Sequence, residues 1–244
     1  MLRERNYKIL ALCALLLSAA GTVGATAPKG VFSVGDDVYV TLADENYSQS
    51  TKTLFTFAET KAIIKEGWHV LDKDEWTYLL VTRDAGLAPA DQRNGIGTVA
   101  GVHGLIIIPD NWTQPAGVPA FTAGAAASGW GTNNYDVTQW AAMADAGAVF
   151  LPAAGYSENG TTAEDAGKDG SYWSSTANGN DNAYAIQFIY STIHDQQSRA
   201  KTMYYSVRLA QTVTVLDEND DASTFASKFA AASTKDYALM KRTL

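Results

Sequence analysis

The C-terminal half of the chain carries four β-like runs, AVFLPAAGY, SYWSST, AYAIQFIY and MYYSVRLA, separated by turn-rich polar segments. In the third, Tyr184, Ile186, Phe188 and Tyr190 share one face of a two-residue period, and in the fourth Tyr205, Val207 and Leu209 do the same. This alternation predicts an antiparallel sheet. Near the start, VFSVGDDVYVTL is two β-rich halves around Gly35-Asp36-Asp37, the pattern of a hairpin. Two segments switch to the helical period. Asp72 and Glu75 have capping-box spacing ahead of Trp76, Leu79, Leu80 and Arg83, which predicts a helix over about 73–84. Asp136 and Gln139 repeat that spacing ahead of Trp140 and Met143, and Gly147 is placed to end a helix over about 136–146. Between them, GLIIIPDNW reads as a short buried strand stopped by Pro109, and residues 113–134 as a long ordered loop. The whole predicts an α+β domain over 31–211, its helices packed beside the sheet through Trp76, Leu79, Leu80, Trp140 and Met143.

With 244 residues, 46% hydrophobic and 11% aromatic, the chain can bury one such core. Its first residues change the picture. Arg3, Arg5 and Lys8 precede an apolar run from Ile9 to Ala20, and Val23-Gly24-Ala25 supplies small residues for cleavage. Residues 1–25 are therefore expected to be a secretory signal peptide, giving an exported protein in the periplasm, at the cell surface or outside the cell. The run is shorter than the roughly 20 residues of a spanning helix, so membrane insertion of the mature chain is not expected. Cys13, the only cysteine, lies inside this segment, so the mature chain would use no disulfide, zinc thiolate or thiol nucleophile. Cleavage removes three basic side chains and one acidic one, moving the formal charge from −8 to −10 and making nucleic acid an unsuitable partner. From Thr212 the chain turns to TVTVL and then Asp217-Glu218-Asn219-Asp220-Asp221, an acidic linker expected over 212–244. That run lacks the Gly and terminal Glu of an EF-hand.

Candidate chemistry is sparse. His69, His103 and His194 lack the spacing of a metal-binding helix, and Gly95-Ile96-Gly97-Thr98-Val99-Ala100 does not follow a strand, so it reads as a glycine-rich turn. Glu158, Glu164, Asp165 and Asp169 sit among turn residues, which favours a solvated loop over a catalytic carboxylate pair. No cofactor is expected. What remains is two polar stretches, 178–182 and 191–199, flanked by aromatic residues. Asn178, Asn180, Asp181, Asn182, Tyr190, His194, Arg199 and Tyr204 combine aromatic area with hydrogen-bonding capacity and form the candidate ligand face, with Trp173 as its internal anchor. Loops separated by one strand emerge at opposite ends of a meander, so the two stretches need not form one surface.

EGWHVLDKDEWTYLLVTR, GVHGLIIIPDNW, MADAGAVFLPAAGY, GSYWSST, AYAIQF and SVRLA follow in an order that resembles the Fibrobacter succinogenes major-domain family of Bacteroidetes surface proteins, over about residues 31–211. The resemblance implies a C-type-lectin-like fold, shared with formylglycine-generating enzymes and the variable proteins of diversity-generating retroelements. The enzymes work through cysteines, which the mature chain would lack. Calcium-dependent sugar binding needs Glu-Pro-Asn or Gln-Pro-Asp with Trp-Asn-Asp, whereas here Ala116 follows Gln114-Pro115 and no Trp-Asn-Asp occurs. In diversified relatives the variable positions end near the segment similar to Ser206-Val207-Arg208-Leu209. The tail looks like the opening of a second module. The expectation is a non-catalytic surface module that binds a protein or glycan; a diversified variable protein, an enzyme of related fold and a structural or assembly domain are the alternatives.

Overall fold

The computed structural model describes residues 30–36, 38–43, 54–64, 66–124, 129–217, 223–224, 227 and 237–240. The expected signal peptide and nearly all of the tail beyond Asp217 lie outside the described residues. The architecture is α+β, with three sheets and, among the described residues of 30–217, two α-helices. In the first sheet β1 (Phe32–Gly35), β2 (Val38–Leu42) and β11 (Leu209–Asp217) pair antiparallel, β3 (His69–Val70) adds to β11, and β12 (Tyr237–Met240) joins β11 in parallel. The second holds β4 (Asn94–Val99), β5 (Val102–Ile107), β6 (Asn134–Tyr135) and β7 (Val149–Pro152), in the order β6-β4-β5-β7. The third is an antiparallel ribbon of β8 (Asp169–Asn178), β9 (Asn182–Ile189) and β10 (Thr192–Ala200). Helices α1 (Lys73–Leu80) and α2 (Val137–Asp145) pack beside the sheets, and among the described residues no helix is long and apolar enough to cross a membrane. The strand β11 runs on to Asp217, so the expected linker begins as its second half, paired to β2 through Thr212–Val40 and Val213–Tyr39.

Both helices start as their sequences require. The Asp72 carboxylate accepts from the Asp74 and Glu75 amides while the Glu75 side chain accepts from the Asp72 amide, and Asp136 and Gln139 make the same reciprocal box. Gly147, at φ +97°, terminates α2. Helix α1 ends earlier than its periodicity suggests. After Leu80 the chain tightens into a 3-10 turn, Thr82–Asp84, which turns Arg83 inward to an ion pair with Asp110 at 3.0 Å. Trp76, Leu79, Leu80 and Met143 are buried as expected, whereas Trp140 is half-buried, its ring meeting the edge of Phe150. Residues 95–99, expected as a turn, belong to β4. A Cβ at Gly97 would lie 2.5 Å from the Asn133 carbonyl oxygen, so its glycine serves close backbone approach and not a turn.

The start of α1 carries a pH dependence. Glu75 also meets His69 Nε2 at 3.4 Å. Burial alone would raise its pKa, but hydrogen bonds from His69 and the Asp72 amide outweigh that and hold it below the ordinary 4.5. A carboxylate whose pKa is depressed by folding stabilises the fold above its unfolded value, and that contribution disappears as pH falls through the folded value. Stability from this group should therefore be constant from neutral pH to just above 4.5 and fall below it. Amide exchange over 69–76 should accelerate in that acid range, and Glu75→Gln should remove the step.

Candidate recognition surface

The ribbon β8–β9–β10 lies between two cores because strand alternation gives it two faces. Tyr172, Ile186 and Phe188 point to one, packing with Leu71, Trp76 and Leu79; Ile193 joins their edge. The helix α1 fastens this face: the Lys73 amide donates to Thr176 Oγ1, and Lys73 sits over the Tyr184 ring. A bulge in β10 between His194 and Gln197 lets consecutive side chains reach the same helix, Thr77 donating to Asp195 at 2.7 Å and accepting from Gln196 at 2.7 Å.

Trp173, Ala183 and Ala185 point to the opposite face, where Phe55, Phe57, Tyr205, Val207 and Leu209 cover them. Segment 203–206 lies beside β8, the Trp173 amide donating to the Ser206 carbonyl and the Ser206 amide to the Ser171 carbonyl, and Tyr205 packs on the Trp173 ring at 4.5 Å. Past this aromatic cover the same face stays partly open. It bears Gln187 on β9 and, opposite β9 in register, His194, Gln197 and Arg199 on β10.

One hydrogen-bonded chain ties this open part to the interior. Ser171 Oγ donates to Asp169 at 2.7 Å, Gln187 Nε2 donates to the other Asp169 oxygen at 2.5 Å, and Arg199 Nη2 donates to Gln187 Oε1 at 2.7 Å. Asp169 and Ser171 are buried, Gln187 and Arg199 half-buried. A carboxylate only accepts and a guanidinium only donates, so the amide between them has one orientation. Arg199 pairs opposite Ala183 yet bonds Gln187, so its side chain runs along the strand past Ala185, whose small size leaves room for it. Close by, burial pushes the Tyr205 phenol up to about 12, with the Arg199 charge opposing and Asp169 adding to the rise. Tyr156 is also raised, by desolvation and then by the negative field of Glu164, Asp165, Glu158 and Asp169, which makes this border acidic.

The eight residues expected to form the ligand face divide by location. Asn178, Asn180, Asp181 and Asn182 gather at the β8–β9 turn, where Asn178 Nδ2 donates to Ser198 Oγ at 2.9 Å. His194 and Arg199 share the open face, and Asn182, paired with Ala200, puts the turn next to its Arg199 end. Tyr204 pairs with Ser157 and covers Gly160, where a Cβ would meet its ring at 2.7 Å. Tyr190 stands in the β9–β10 turn at the other end of the ribbon, 57% exposed and against Gly129. Among the histidines, His69 pairs with Glu75, and His103 bonds the Gly167 carbonyl while stacking on Trp130.

Sequence reasoning missed Gln187, Gln197 and Lys201 as parts of this surface, and Asp169, expected in a solvated loop, is instead buried at the start of β8, where it supports the surface from beneath. The signal for the first was present: the parity opposite Tyr184, Ile186 and Phe188 reads Ala183, Ala185, Gln187, two small residues and an amide. Lys201 had none. Its ammonium donates to the Gly179 and Asn180 carbonyls at 2.9 and 2.8 Å and sits over the Phe57 ring, so it clasps the turn to the aromatic cover. Lys201→Met should cost about 1–2 kcal/mol from these bonds and speed amide exchange at 179–182 while leaving exchange in α1 unchanged.

A family model described as a domain of unknown function (DUF8237) matches residues 130–210, a span that contains the whole ribbon. No curated protein and no solved structure matches the chain.

Proposed function

We propose that the chain is an exported, non-catalytic binding module of C-type-lectin-like fold that recognises a protein or glycan through His194, Gln197, Arg199 and Gln187 on the open face of the ribbon. The observation that carries this reading is the chain Ser171–Asp169–Gln187–Arg199, which fixes a half-buried guanidinium on a face that also bears His194 and Gln197. Ordering is thus completed by buried partners before any ligand arrives, and pre-organisation of this kind lowers the entropy lost on binding. The Asn-rich turn borders the Arg199 end and adds short polar side chains to the rim. Tyr172 and Tyr205, the strongly raised phenols next to the ribbon, stay protonated at neutral pH and serve as packing and hydrogen-bonding groups.

The test is a screen of the mature protein against arrays of glycans and surface proteins, repeated with Gln197→Ala. A ligand retained by the parent and weakened in the variant, at equal thermal stability, supports the reading; a ligand indifferent to the substitution places recognition elsewhere.

The diversified alternative rests on the resemblance, in which the variable zone would take in β10 and its row His194, Gln197 and Arg199. A near-copy of codons 172–209 in the genome, differing mainly at adenines and accompanied by a reverse transcriptase, would establish that version.

A further inference from the structure

We propose that Arg199 is the anchor for a single carboxylate, carried by a terminal sugar acid of a glycan. The proposal rests on the binding-module reading and names the chemistry of its ligand. Among the described residues, Arg199 makes one hydrogen bond, to Gln187, and no ion pair, which leaves four of the five guanidinium N–H donors without a protein partner. In a chain with 26 acidic and 18 basic side chains, a half-buried arginine without a carboxylate stands out. The nearest buried carboxylate, Asp169, is reached only through the Gln187 amide. Direct pairing would occupy the planar fork; the intervening amide holds the guanidinium in place and keeps the fork for an outside partner. That fork matches a carboxylate in two parallel hydrogen bonds.

Two features select the rest of the ligand. The formal charge of −8 and the acidic border around Tyr156 oppose a polyanion, such as a phosphate chain or an acidic peptide run, but a single negative charge in direct contact with the guanidinium gains more than it loses. The side chains in the same row, His194 and Gln197, offer polar groups of the kind that hydroxyl groups beside a sugar carboxylate require.

The experiment is a titration of the nitrogen-15-labelled mature protein followed by NMR, including the arginine Nε–Hε signals. Glucuronate, glucose and N-acetylglycine are the three probes. Saturable shifts with glucuronate at Arg199 Nε–Hε and at amides of 185–199 are expected, none with glucose, and binding at least tenfold weaker with N-acetylglycine. Arg199→Lys keeps the charge and the alkyl stem that covers Ala185 but loses the fork, so it should weaken glucuronate binding about tenfold at an unchanged melting temperature. Equal response to glucose, tighter or equal binding of N-acetylglycine, or full affinity in Arg199→Lys would overturn the proposal. If array ligands bind this face and respond to Gln197→Ala but none carries a sugar acid, the binding reading stands and the carboxylate assignment fails. If neither an array ligand nor any titrant acts on this face, both fail.

Discussion

Trp173→Ala is expected to destabilise the protein by about 3–5 kcal/mol, the cost of emptying a fully buried aromatic site. The indole has no exposure, meets Phe57 edge-on at 5.7 Å and Tyr205 at 4.5 Å, and its Nε1 donates to the Phe55 carbonyl at 2.7 Å. Removing it withdraws the common support of β8, segment 203–206 and residues 55–57, so the melting temperature should fall by roughly 10 °C. Trp173→Phe separates the contributions. Most of the ring packing remains and the Phe55 carbonyl still accepts from the Tyr205 amide at 2.9 Å, so the loss should be nearer 1–2 kcal/mol. Chemical denaturation of both variants checks the order.

Arg83→Met should be comparably severe. The Arg83 side chain is 1% exposed and donates to Asp110, to the Leu79 and Ile108 carbonyls and, more distantly, to the Arg93 carbonyl. Asp110 in turn accepts from the Ser33 amide at 2.7 Å, and Asp84 pairs with Arg93 at 3.1 Å. This network joins the end of α1 to β1, β4 and the exit of β5. Removing Arg83 leaves Asp110 with only the longer 3.8 Å pair to Arg93 and leaves buried carbonyls unpaired, a loss of roughly 3–5 kcal/mol. Equilibrium unfolding measures it. The double variant Arg83→Met with Asp110→Leu should recover part of the loss, because the weakly paired carboxylate is then absent.

These two sites differ in how far they could be read from the chain. Trp173 sits in a short alternating run and was expected inside. Asp72 with Glu75, and Asp136 with Gln139, announced their helices because capping is settled within four residues. Arg83 continued the helical spacing of Trp76 and Leu80, and only its distant partner Asp110 turns it inward. Gly95 and Gly97 resembled turn residues because their reason, the closeness of Thr122 and Asn133, lies some 30 residues away in sequence. The strand β10 was read as a polar stretch. Its apolar content is low because one face meets Thr77 through hydrogen bonds and the other stays partly open, and the bulge at 195–196 breaks its period. The same break hid the row His194, Gln197, Arg199, of which only the first and last were picked out.

The most direct test of the recognition face is a binding measurement, per folded molecule, on the triple variant His194→Ala, Gln197→Ala, Arg199→Lys, using the ligand found on the arrays. These side chains lie on the partly open face and the lysine keeps the cover over Ala185, so the melting temperature should change by no more than a few degrees. Affinity is predicted to drop at least tenfold. A triple variant that folds and binds as tightly as the parent would contradict the account.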